Sequence, residues 1–456
     1  MRMRGRVRLI GAGVSAALLA PVAWWAARPG PATSGPRPVP TDLTERDPEA
    51  TAEARRVYAL LAGLENRARR GEASRTVIGQ HVELHNERYN PAYGDYRGAK
   101  QPGYYYKKAR DITGRLPGFV EVDLGPGYGQ PGWAVGEPRP YSSSWPGCRR
   151  CWGYAEDAVD LALGVWAGLP RAADGSYRPS GTHVDCASGT RVSLPDNGGG
   201  PAGIVGFSFH QPYPGSTVKG FEQTRYRNSP AARDRGWFGR VVTEGTDEHR
   251  ALLHDLGYLA DHLGYLAAHG VPVLLRPYHE MNTRPGHGFW WAGQDPAAYR
   301  KLWRITYDYL VGTRGLHNLL FVWSPSAWEG TFAWEPGDYY PGGRHVDLVG
   351  VDDYSDTPQR PYRGERWTEF WYRGLEGYDR PRVMAESFHV PLGSAQPGTL
   401  SDTPWVLWTV WGQALTYDNV SEPRYRNTVA DVRQTYGSDR VITADDWRSP
   451  DKSPLG

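Results

Sequence analysis

The strongest chemical signal in the sequence is RPYHEMN (276–282), which ends an apolar run and is followed by FWWAG (289–293). Glu280 lies where the apolar run ends, directly after His279 and close to two tryptophans. Burial among aromatic side chains disfavours the charged form of a carboxyl group, which raises its pKa and suits it to general acid catalysis. A zinc-protease motif is excluded, because His-Glu-x-x-His needs a histidine where position 283 is a threonine. The alternative is a structural glutamate that pairs with the nearby arginine.

A second carboxylate, Glu386, follows another apolar run in VMAESF (383–388). Alone it would be a surface residue, and its importance comes from its pairing with Glu280. In a parallel barrel the ends of the fourth and seventh strands face each other across one mouth, so the two glutamates would flank a single bond. Two carboxyl groups in that arrangement are typical of glycoside hydrolysis.

The elements that must position these residues are eight short apolar or β-branched runs. Most of these runs are continuous rather than alternating, as in strands that are buried on both faces of a parallel sheet. Three intervening stretches have helical periodicity: Ala155–Leu169, Arg250–His269 and Tyr299–Leu310. This alternation predicts a single (β/α)8 TIM barrel with a long insertion between the second and third strands. The eight runs are Thr76–His81, Gly118–Asp123, Ile204–His210, Val271–Glu280, Asn318–Pro325, Val346–Tyr354, Arg382–Phe388 and Val406–Gln413.

Composition narrows the class of ligand. The 456 residues include 19 Trp and 28 Tyr but only 10 Phe and 4 Met. Trp and Tyr combine an apolar face with a polar edge, which suits stacking on sugar rings. Six of the 52 basic residues precede the first acid, Asp42, so the remaining chain has 46 basic against 50 acidic residues, a net charge of −4. This balance argues against a basic groove for nucleic acid.

The N-terminal segment predicts export. Four arginines among the first eight residues precede an apolar run from Leu9 to Ala27, which is the pattern of a signal peptide. The run is also near the length that spans a bilayer, so residues 1–27 are a signal peptide or an uncleaved anchor. The protein would then be secreted, or tethered to the outer face of the cell membrane. Residues 28–44 are rich in proline and predict a linker before a catalytic domain at 45–456.

Three cysteines, Cys148, Cys151 and Cys186, fall within the predicted insertion. In an exported protein they predict one disulfide that clamps a long loop, with one thiol left over. Together with His183 they could instead form a four-ligand zinc site. The spacing leaves both alternatives open.

The motifs of the second half resemble glycoside hydrolase family 26, whose best-known members are β-mannanases. RPYHEMN and WWAG are followed in order by YRKLWR, LLFVWSP, YYPG and VDLVGVDDY, and the resemblance covers residues 76 to 413. It implies a retaining, endo-acting hydrolase on a (β/α)8 barrel. That mechanism requires no metal or organic cofactor. We expect the protein to bind a polysaccharide substrate and to be a monomer, as is usual for a secreted enzyme of this kind.

The resemblance also implies roles for individual residues. Glu280 would be the acid/base and Glu386 the nucleophile, while Tyr354 would donate a hydrogen bond to the nucleophile. His279 would contact the sugar at the cleavage point. The remaining candidates for substrate binding are His210, Trp290, Trp291 and Trp411.

Packing is the alternative role for several of these side chains. His210, Tyr354 and Trp411 could be core residues of the barrel. Trp290 and Trp291 are adjacent, and neighbouring residues on an extended segment point in opposite directions. We therefore expect one of the two to line the cleft and the other to pack beneath it.

The sequence leaves several polysaccharide substrates open. β-1,4-Mannan is the first choice, and mixed-linkage β-1,3-1,4-glucan and β-1,3-xylan are the alternatives. A non-catalytic glycan-binding protein is a further hypothesis, although such a protein would have no use for two paired glutamates. The sequence departs from the family at TRPGHG (283–288) and at SFH (387–389). Both departures lie next to a catalytic glutamate, so they affect the expected subsite preference more than the reaction.

Overall fold

The strands of the computed structural model close into a barrel of eight parallel strands. Each strand pairs with the next, and β8 completes the barrel by pairing with β1 from Val77↔Leu407 to Gln80↔Val410. The predicted (β/α)8 barrel is confirmed, and each predicted run contains its strand. The strands are β1 Thr76–His81, β2 Phe119–Asp123, β3 Ile204–Phe209, β4 Val273–Pro277, β5 Leu319–Trp323, β6 Leu348–Asp353, β7 Arg382–Ser387 and β8 Leu407–Val410. A short strand, β9 Val441–Ile442, pairs with the first residues of β1.

The structure describes twelve stretches of the chain. They are residues 37–82, 104–124, 154–167, 183–184, 191–192, 203–217, 221–327, 334–354, 361–362, 365–393, 399–415 and 427–448.

Burial on both faces explains the continuous apolar runs. Every residue of the eight barrel strands is buried. Phe119, at the start of β2, fills the barrel interior between two glycines of the neighbouring strands. A β-carbon at Gly79 would lie 2.7 Å from the Phe119 ring, and one at Gly206 would lie 2.6 Å from it. Only glycine leaves room for the ring at these two positions, since real β-carbons do not approach other atoms so closely.

Helices connect the strands and cover the outside of the barrel. Among the described residues they are α1 Ala52–Arg69, α2 Tyr104–Thr113, α3 Tyr154–Ala167, α4 Trp237–Val241, α5 Asp247–Ala268, α6 Pro296–Tyr307, α7 Trp367–Gly374, α8 Thr399–Asp402, α9 Val429–Tyr436 and α10 Ala444–Arg448.

The predicted helices differ from the observed ones mainly at their ends, and capping explains the difference. Helix α5 begins three residues before the predicted start, because the Thr246 side chain accepts a hydrogen bond from the backbone N–H of His249. Helix α6 likewise begins at Pro296, where the Asp295 side chain caps the first turn. Its last turn continues as a π-helical segment, Asp308–Thr313.

The predicted insertion between β2 and β3 contains α3 and a short antiparallel pair, His183–Val184 with Arg191–Val192. A second antiparallel pair, Pro361–Tyr362 with Glu365–Arg366, precedes α7. The three cysteines lie outside the described residues, and the His183 side chain is likewise not described. The disulfide and the zinc site therefore both stay predictions.

The packed body begins before residue 45. Val39 and Leu43 are buried, although the sequence places them in the proline-rich linker. The Asn66 side chain fixes this segment to α1, because it accepts from the Val39 N–H at 2.7 Å and donates to the Val39 carbonyl at 2.9 Å. Residues 1–27 lie outside the described part of the chain. Within that part, no helix has the length and apolar character needed to cross a membrane.

Candidate active site

Strand β4 ends in a strained turn that presents Glu280 at the barrel mouth. Tyr278 and Glu280 have φ angles of 51° and 55°, in the left-handed region that residues other than glycine rarely adopt. Such a conformation costs about 1–2 kcal/mol per residue. It is held by the Glu280 N–H, which donates to the Ser324 carbonyl at 2.9 Å, and by the buried Tyr278 hydroxyl, which donates to Gln211 at 3.1 Å. The surrounding structure therefore fixes Glu280, which is half-buried.

Trp290 and Trp291 pack beneath this turn, and both are 0% exposed. The prediction that one of them lines the cleft is wrong. The alternation that it assumed applies to extended chain, whereas these residues lie in consecutive turns. The Trp290 indole N–H donates to the Gln211 carbonyl at 2.8 Å, and the Trp291 indole N–H donates to the His279 carbonyl at 2.7 Å. Trp291 thus fixes the backbone next to Glu280, Trp290 fixes the backbone at Gln211, and neither buried side chain forms a sugar-binding surface.

A β-bulge in β7 positions the second glutamate. Met384 pairs with Val351 of β6, but the next pair is Glu386 with Asp352, so β7 has one extra residue, Ala385. A bulge bends its strand and redirects the side chains that follow, and bulges are frequent next to active sites. Here the Glu386 carboxylate is 3% exposed and reaches charged groups of the barrel interior.

The guanidinium of Arg276 joins three strands at the centre of the mouth. It donates from Nε to Glu121 of β2 at 2.8 Å, from Nη1 to Asp352 of β6 at 3.0 Å, and from Nη2 to Glu386 of β7. All four side chains are nearly inaccessible to solvent. A buried ion pair is stable only when its remaining polar atoms are also bonded, and the five-donor fork of arginine allows this. The arginine therefore pairs with Glu386 and not, as the alternative interpretation had it, with Glu280.

Two aromatic residues complete the surroundings of Glu386. The Tyr354 hydroxyl donates to Glu386 Oε2, in agreement with its predicted contact. Trp411, which is partly exposed, lies 6.2 Å from Tyr354 between ring centroids, and its backbone N–H donates to the Ser387 carbonyl at 2.9 Å. His81 stacks on the Trp411 indole, with centroids 4.1 Å apart and planes 20° from parallel. Tyr354 and Trp411 thus lie beside the nucleophile candidate, where an aromatic floor can contact a sugar ring.

The two predicted histidines meet on the other side of the mouth. The His210 and His279 rings are 4.7 Å apart between centroids and nearly perpendicular. The Asp123 carboxylate at the end of β2 contacts His210 Nδ1 at 3.0 Å. His279 is buried, and burial, together with the positive charge of Arg276, holds its pKa well below the ordinary value. His279 is therefore a neutral imidazole at physiological pH.

Burial raises the pKa of three carboxyl groups around Arg276. It raises the pKa of Glu280 to about 7, and the negative charge of Glu386 adds to this shift while Arg276 opposes it. Burial also raises the pKa of Glu121 to about 7 and that of Asp352 well above its ordinary value, again against Arg276. One guanidinium does not neutralise four carboxylates, so the cluster retains protons near neutral pH.

The side-chain distances would also fit a metal ion at one point. Ligand atoms of His279, Asp352 and Glu386 lie within 4.8 Å of one another. However, both of these carboxylates already pair with the Arg276 guanidinium. The arginine therefore supplies the positive charge that a metal would bring, and the arrangement suits acid–base and nucleophilic chemistry.

Sequence reasoning missed several residues of the mouth. The sequence pattern indicates Arg276 only as a partner of Glu280, and Glu121, Asp123 and His81 are not among the predicted site residues. A signal existed for two of them. Glu121 and Asp123 are charged residues inside the apolar strand FVEVD, which is unusual because buried charges need partners. Their spacing of two residues also predicts that they share one face of the strand.

The comparisons with known proteins agree with this geometry. The family model described as glycosyl hydrolase family 26 matches residues 180–368. Mannan endo-1,4-β-mannosidase A of Piromyces sp. is 37% identical over 209 residues, which is 46% of this chain and 30% of that protein. Mannan endo-1,4-β-mannosidase of Bacillus subtilis (strain 168) is 35% identical over 140 residues, 29% of this chain and 36% of that protein. The resemblance to glycosyl hydrolase family 26 is confirmed.

Solved structures of two β-mannanases share the barrel. The Podospora anserina GH26-CBM35 β-(1,4)-mannanase aligns with a TM-score of 0.56 at 25% identity, over 92% of this chain and 72% of that one. A β-mannanase from a symbiotic protist of the termite Reticulitermes speratus aligns with a TM-score of 0.58 at 22% identity, over 88% and 96% of the two chains. The second likeness, at its lower identity, supports the fold alone.

The family match has two limits. The chain spans about a third of the length of the curated relatives it matches. The family 26 model includes Glu280 but ends before Glu386. The role of Glu386 therefore rests on its contacts with Arg276 and Tyr354.

Proposed function

We propose that this protein is a retaining endo-β-glycosidase that hydrolyses β-1,4-mannan, with Glu280 as acid/base and Glu386 as nucleophile. The observation that carries the proposal is the contrast between the two glutamates. Glu386 accepts hydrogen bonds from the Arg276 guanidinium and the Tyr354 hydroxyl. In contrast, burial and the negative charge of Glu386 raise the pKa of Glu280 to about 7. The mechanism needs a proton donor and a nucleophile, so two carboxyl groups in different environments support it.

In the first step the Glu386 carboxylate attacks the anomeric carbon of the sugar, and Glu280 donates its proton to the glycosidic oxygen. The aglycone leaves, and a covalent bond joins the sugar to Glu386. In the second step Glu280, now a carboxylate, removes a proton from water, and the hydroxyl attacks the anomeric carbon. The sugar is released with its configuration retained, Glu386 regains its negative charge and Glu280 regains its proton.

The other side chains of the mouth support these two steps. Arg276 and Tyr354 each bond one oxygen of Glu386, which fixes the carboxylate for in-line attack. Neutral His279 can exchange hydrogen bonds with a sugar hydroxyl without adding charge next to Glu280. The exposed part of Trp411 offers an apolar surface to a sugar ring.

Mannan is the preferred substrate because the curated relatives are named mannan endo-1,4-β-mannosidases. Mixed-linkage β-1,3-1,4-glucan and β-1,3-xylan are the other polymers to test, since a few contacts decide between sugars. A protein that only binds glycans would not need a strained turn that holds Glu280 within electrostatic reach of Glu386. We further propose that the protein is exported through residues 1–27, either secreted or retained as a tether, and acts as a monomer.

The test is the release of reducing sugar by the purified full chain from β-mannan, galactomannan, mixed-linkage β-glucan and β-1,3-xylan. Glu280→Ala serves as the inactive variant, and Glu369→Ala on the outer helix α7 serves as the matched control. We expect release from mannan by the parent chain and by the control, and little release by Glu280→Ala. Release from another polymer would correct the substrate, and binding without release from any polymer would contradict the enzymatic function.

A further inference from the structure

Strand β2 contributes two buried carboxylates whose contacts differ. Glu121 and Asp123 are separated by one residue, so both point into the barrel, and they are 3% and 1% exposed. Glu121 bonds the Nε of Arg276 and so belongs to the surroundings of Glu386. Asp123 instead contacts His210 on the acid/base side of the mouth. The mechanism described above uses neither His210 nor Asp123.

Asp123 contacts His210 at two points. One carboxylate oxygen accepts the backbone N–H of His210 at 3.1 Å, and the other lies 3.0 Å from the ring Nδ1. The negative carboxylate favours a proton on the ring nitrogen that lies closest to it, so this contact points to a proton on Nδ1. With the proton on Nδ1, the neutral ring has its lone pair on Nε2. Asp123 therefore determines the orientation of the His210 ring and also which of its two nitrogens can accept a hydrogen bond.

His210 lies where this choice affects the reaction. Its ring contacts His279 edge-on, and it lies 5.0 Å from the Phe289 ring that also packs on His279. The positive charge of a protonated His210 would lower the pKa of Glu280, so the two groups are within electrostatic reach. A ring that changed its tautomer or its tilt would alter the hydrogen bonds available next to the acid/base.

We propose that Asp123 is a positioning residue that holds His210 with its proton on Nδ1, so that Nε2 accepts a hydroxyl of the sugar at the cleavage point. The part that concerns the sugar rests on the proposed function. The part that concerns the tautomer rests only on the geometry of β2 and β3. Two measurements separate these parts.

The first measurement is a double-mutant cycle of Asp123→Asn and His210→Gln, read as kcat and KM on β-mannan. Asparagine keeps an oxygen that can accept the backbone N–H, but its amide nitrogen can donate to Nδ1 and reverse the tautomer. We expect each single variant to lower kcat/KM by roughly 10- to 100-fold, the value of one buried hydrogen bond. If Asp123 acts through His210, the double variant is no worse than His210→Gln.

Glu121→Gln is the matched control, because it makes the same change on the same face of β2 two residues away. In the double variant of Glu121→Gln and His210→Gln, the two fold-losses in kcat/KM should multiply, because Glu121 bonds Arg276 and not His210. The proposal is overturned if Asp123→Asn and His210→Gln also multiply, because Asp123 would then support the barrel in general.

The second measurement is the side-chain ¹⁵N NMR spectrum of the histidines, with the His210 signals assigned by their loss in His210→Gln. We expect a protonated Nδ1 in the parent chain and a change of the protonated nitrogen in Asp123→Asn. A proton on Nε2 with a bare Nδ1 in the parent chain, or a spectrum unchanged by the substitution, would overturn the proposal. This spectrum needs no substrate, so absence of mannan hydrolysis would refute the proposed function while the tautomer is still decided.

Discussion

The ends of β4 and β7 both present a glutamate at the barrel mouth, but they hold it by opposite means. Glu280 is placed by a backbone in the left-handed region above two buried tryptophans, and the residue as a whole is half-buried. Glu386 is placed by a bulge, and each of its oxygens receives a hydrogen bond, from Arg276 and from Tyr354.

This difference shows how one site gives two chemically identical groups different roles. Hydrogen bonds to a carboxylate favour its charged form, which a nucleophile needs. Burial favours the neutral form, which an acid needs, and the nearby charge of Glu386 increases that preference for Glu280. Among the residues that the structure describes, none donates a hydrogen bond to the Glu280 carboxyl group. The assignment of roles follows from the two environments, and exchanging or removing their features should change it.

The largest expected effect is the loss of the glutamates themselves. We expect Glu386→Ala to lower kcat on mannan by at least about 10⁴-fold, because no covalent intermediate can form. Glu280→Ala should lower it by about 10²- to 10⁴-fold, the usual contribution of general acid–base catalysis. Steady-state kinetics with matched unfolding curves would measure both. Near-complete activity of either variant would contradict the comparison.

A smaller loss is expected from Tyr354→Phe, which removes one of the two donors to Glu386. We expect kcat to fall by about 10²-fold with little change in KM, because a preorganised donor acts mainly in the transition state. Tyr372→Phe is the control, since the Tyr372 hydroxyl accepts a hydrogen bond from Arg382 away from Glu386. It should cost stability but leave kcat unchanged. Equal kcat losses in the two variants would argue against a specific role for Tyr354.

The pH dependence tests the coupling between the two ends. Because Glu280 must carry a proton in the first step, we expect kcat/KM to fall as the pH rises through about 7. Glu386→Gln removes the negative charge that helps to raise this pKa, so the Glu280 pKa should fall below about 7. Carboxyl ¹³C NMR titration, with the signal assigned by its loss in Glu280→Gln, would measure it. A Glu280 pKa that stayed the same or rose in Glu386→Gln would show that the glutamates are not coupled.

The smallest expected effect concerns stability. The folded-state pKa of Glu280 is raised from 4.5 to about 7, so its contribution is fully favourable at low pH and is lost as the pH rises to about 7. Glu280→Gln removes this dependence, and we expect it to gain about 1–2 kcal/mol over the parent chain between pH 5 and pH 8, allowing for partial exposure. Urea unfolding at both pH values would measure the gain. In contrast, Glu72→Gln should show no gain in stability between pH 5 and pH 8. The hydrogen bond from Arg70 lowers the Glu72 pKa, so this carboxylate does not lose stability as the pH rises.

The sequence predicts the barrel well because its strands are buried on both faces and therefore read as continuous apolar runs. It also predicts Glu280, Glu386 and Tyr354, through motifs whose order matches a known family. It does not predict the left-handed turn at Glu280, because nothing in RPYHEMN requires a positive φ. For the same reason Trp290 and Trp291 are misplaced, since their orientation depends on that turn.

Contacts between distant strands are the other part that the sequence does not reveal. Arg276 bonds residues of β2, β6 and β7, and a single arginine gives no indication of three partners so far apart in the chain. Likewise, the bulge at Ala385 depends on the register of two neighbouring strands.

The most direct test of the two roles is the stereochemistry of azide rescue with an activated aryl β-mannoside. In Glu280→Ala the covalent intermediate still forms on Glu386, and azide attacks it from the face that water would use, so the account predicts a glycosyl azide of retained β configuration. In Glu386→Ala azide replaces the nucleophile and should give the inverted α product. Proton NMR of the two azides decides the matter, and an α product from Glu280→Ala or a β product from Glu386→Ala would contradict the assignment.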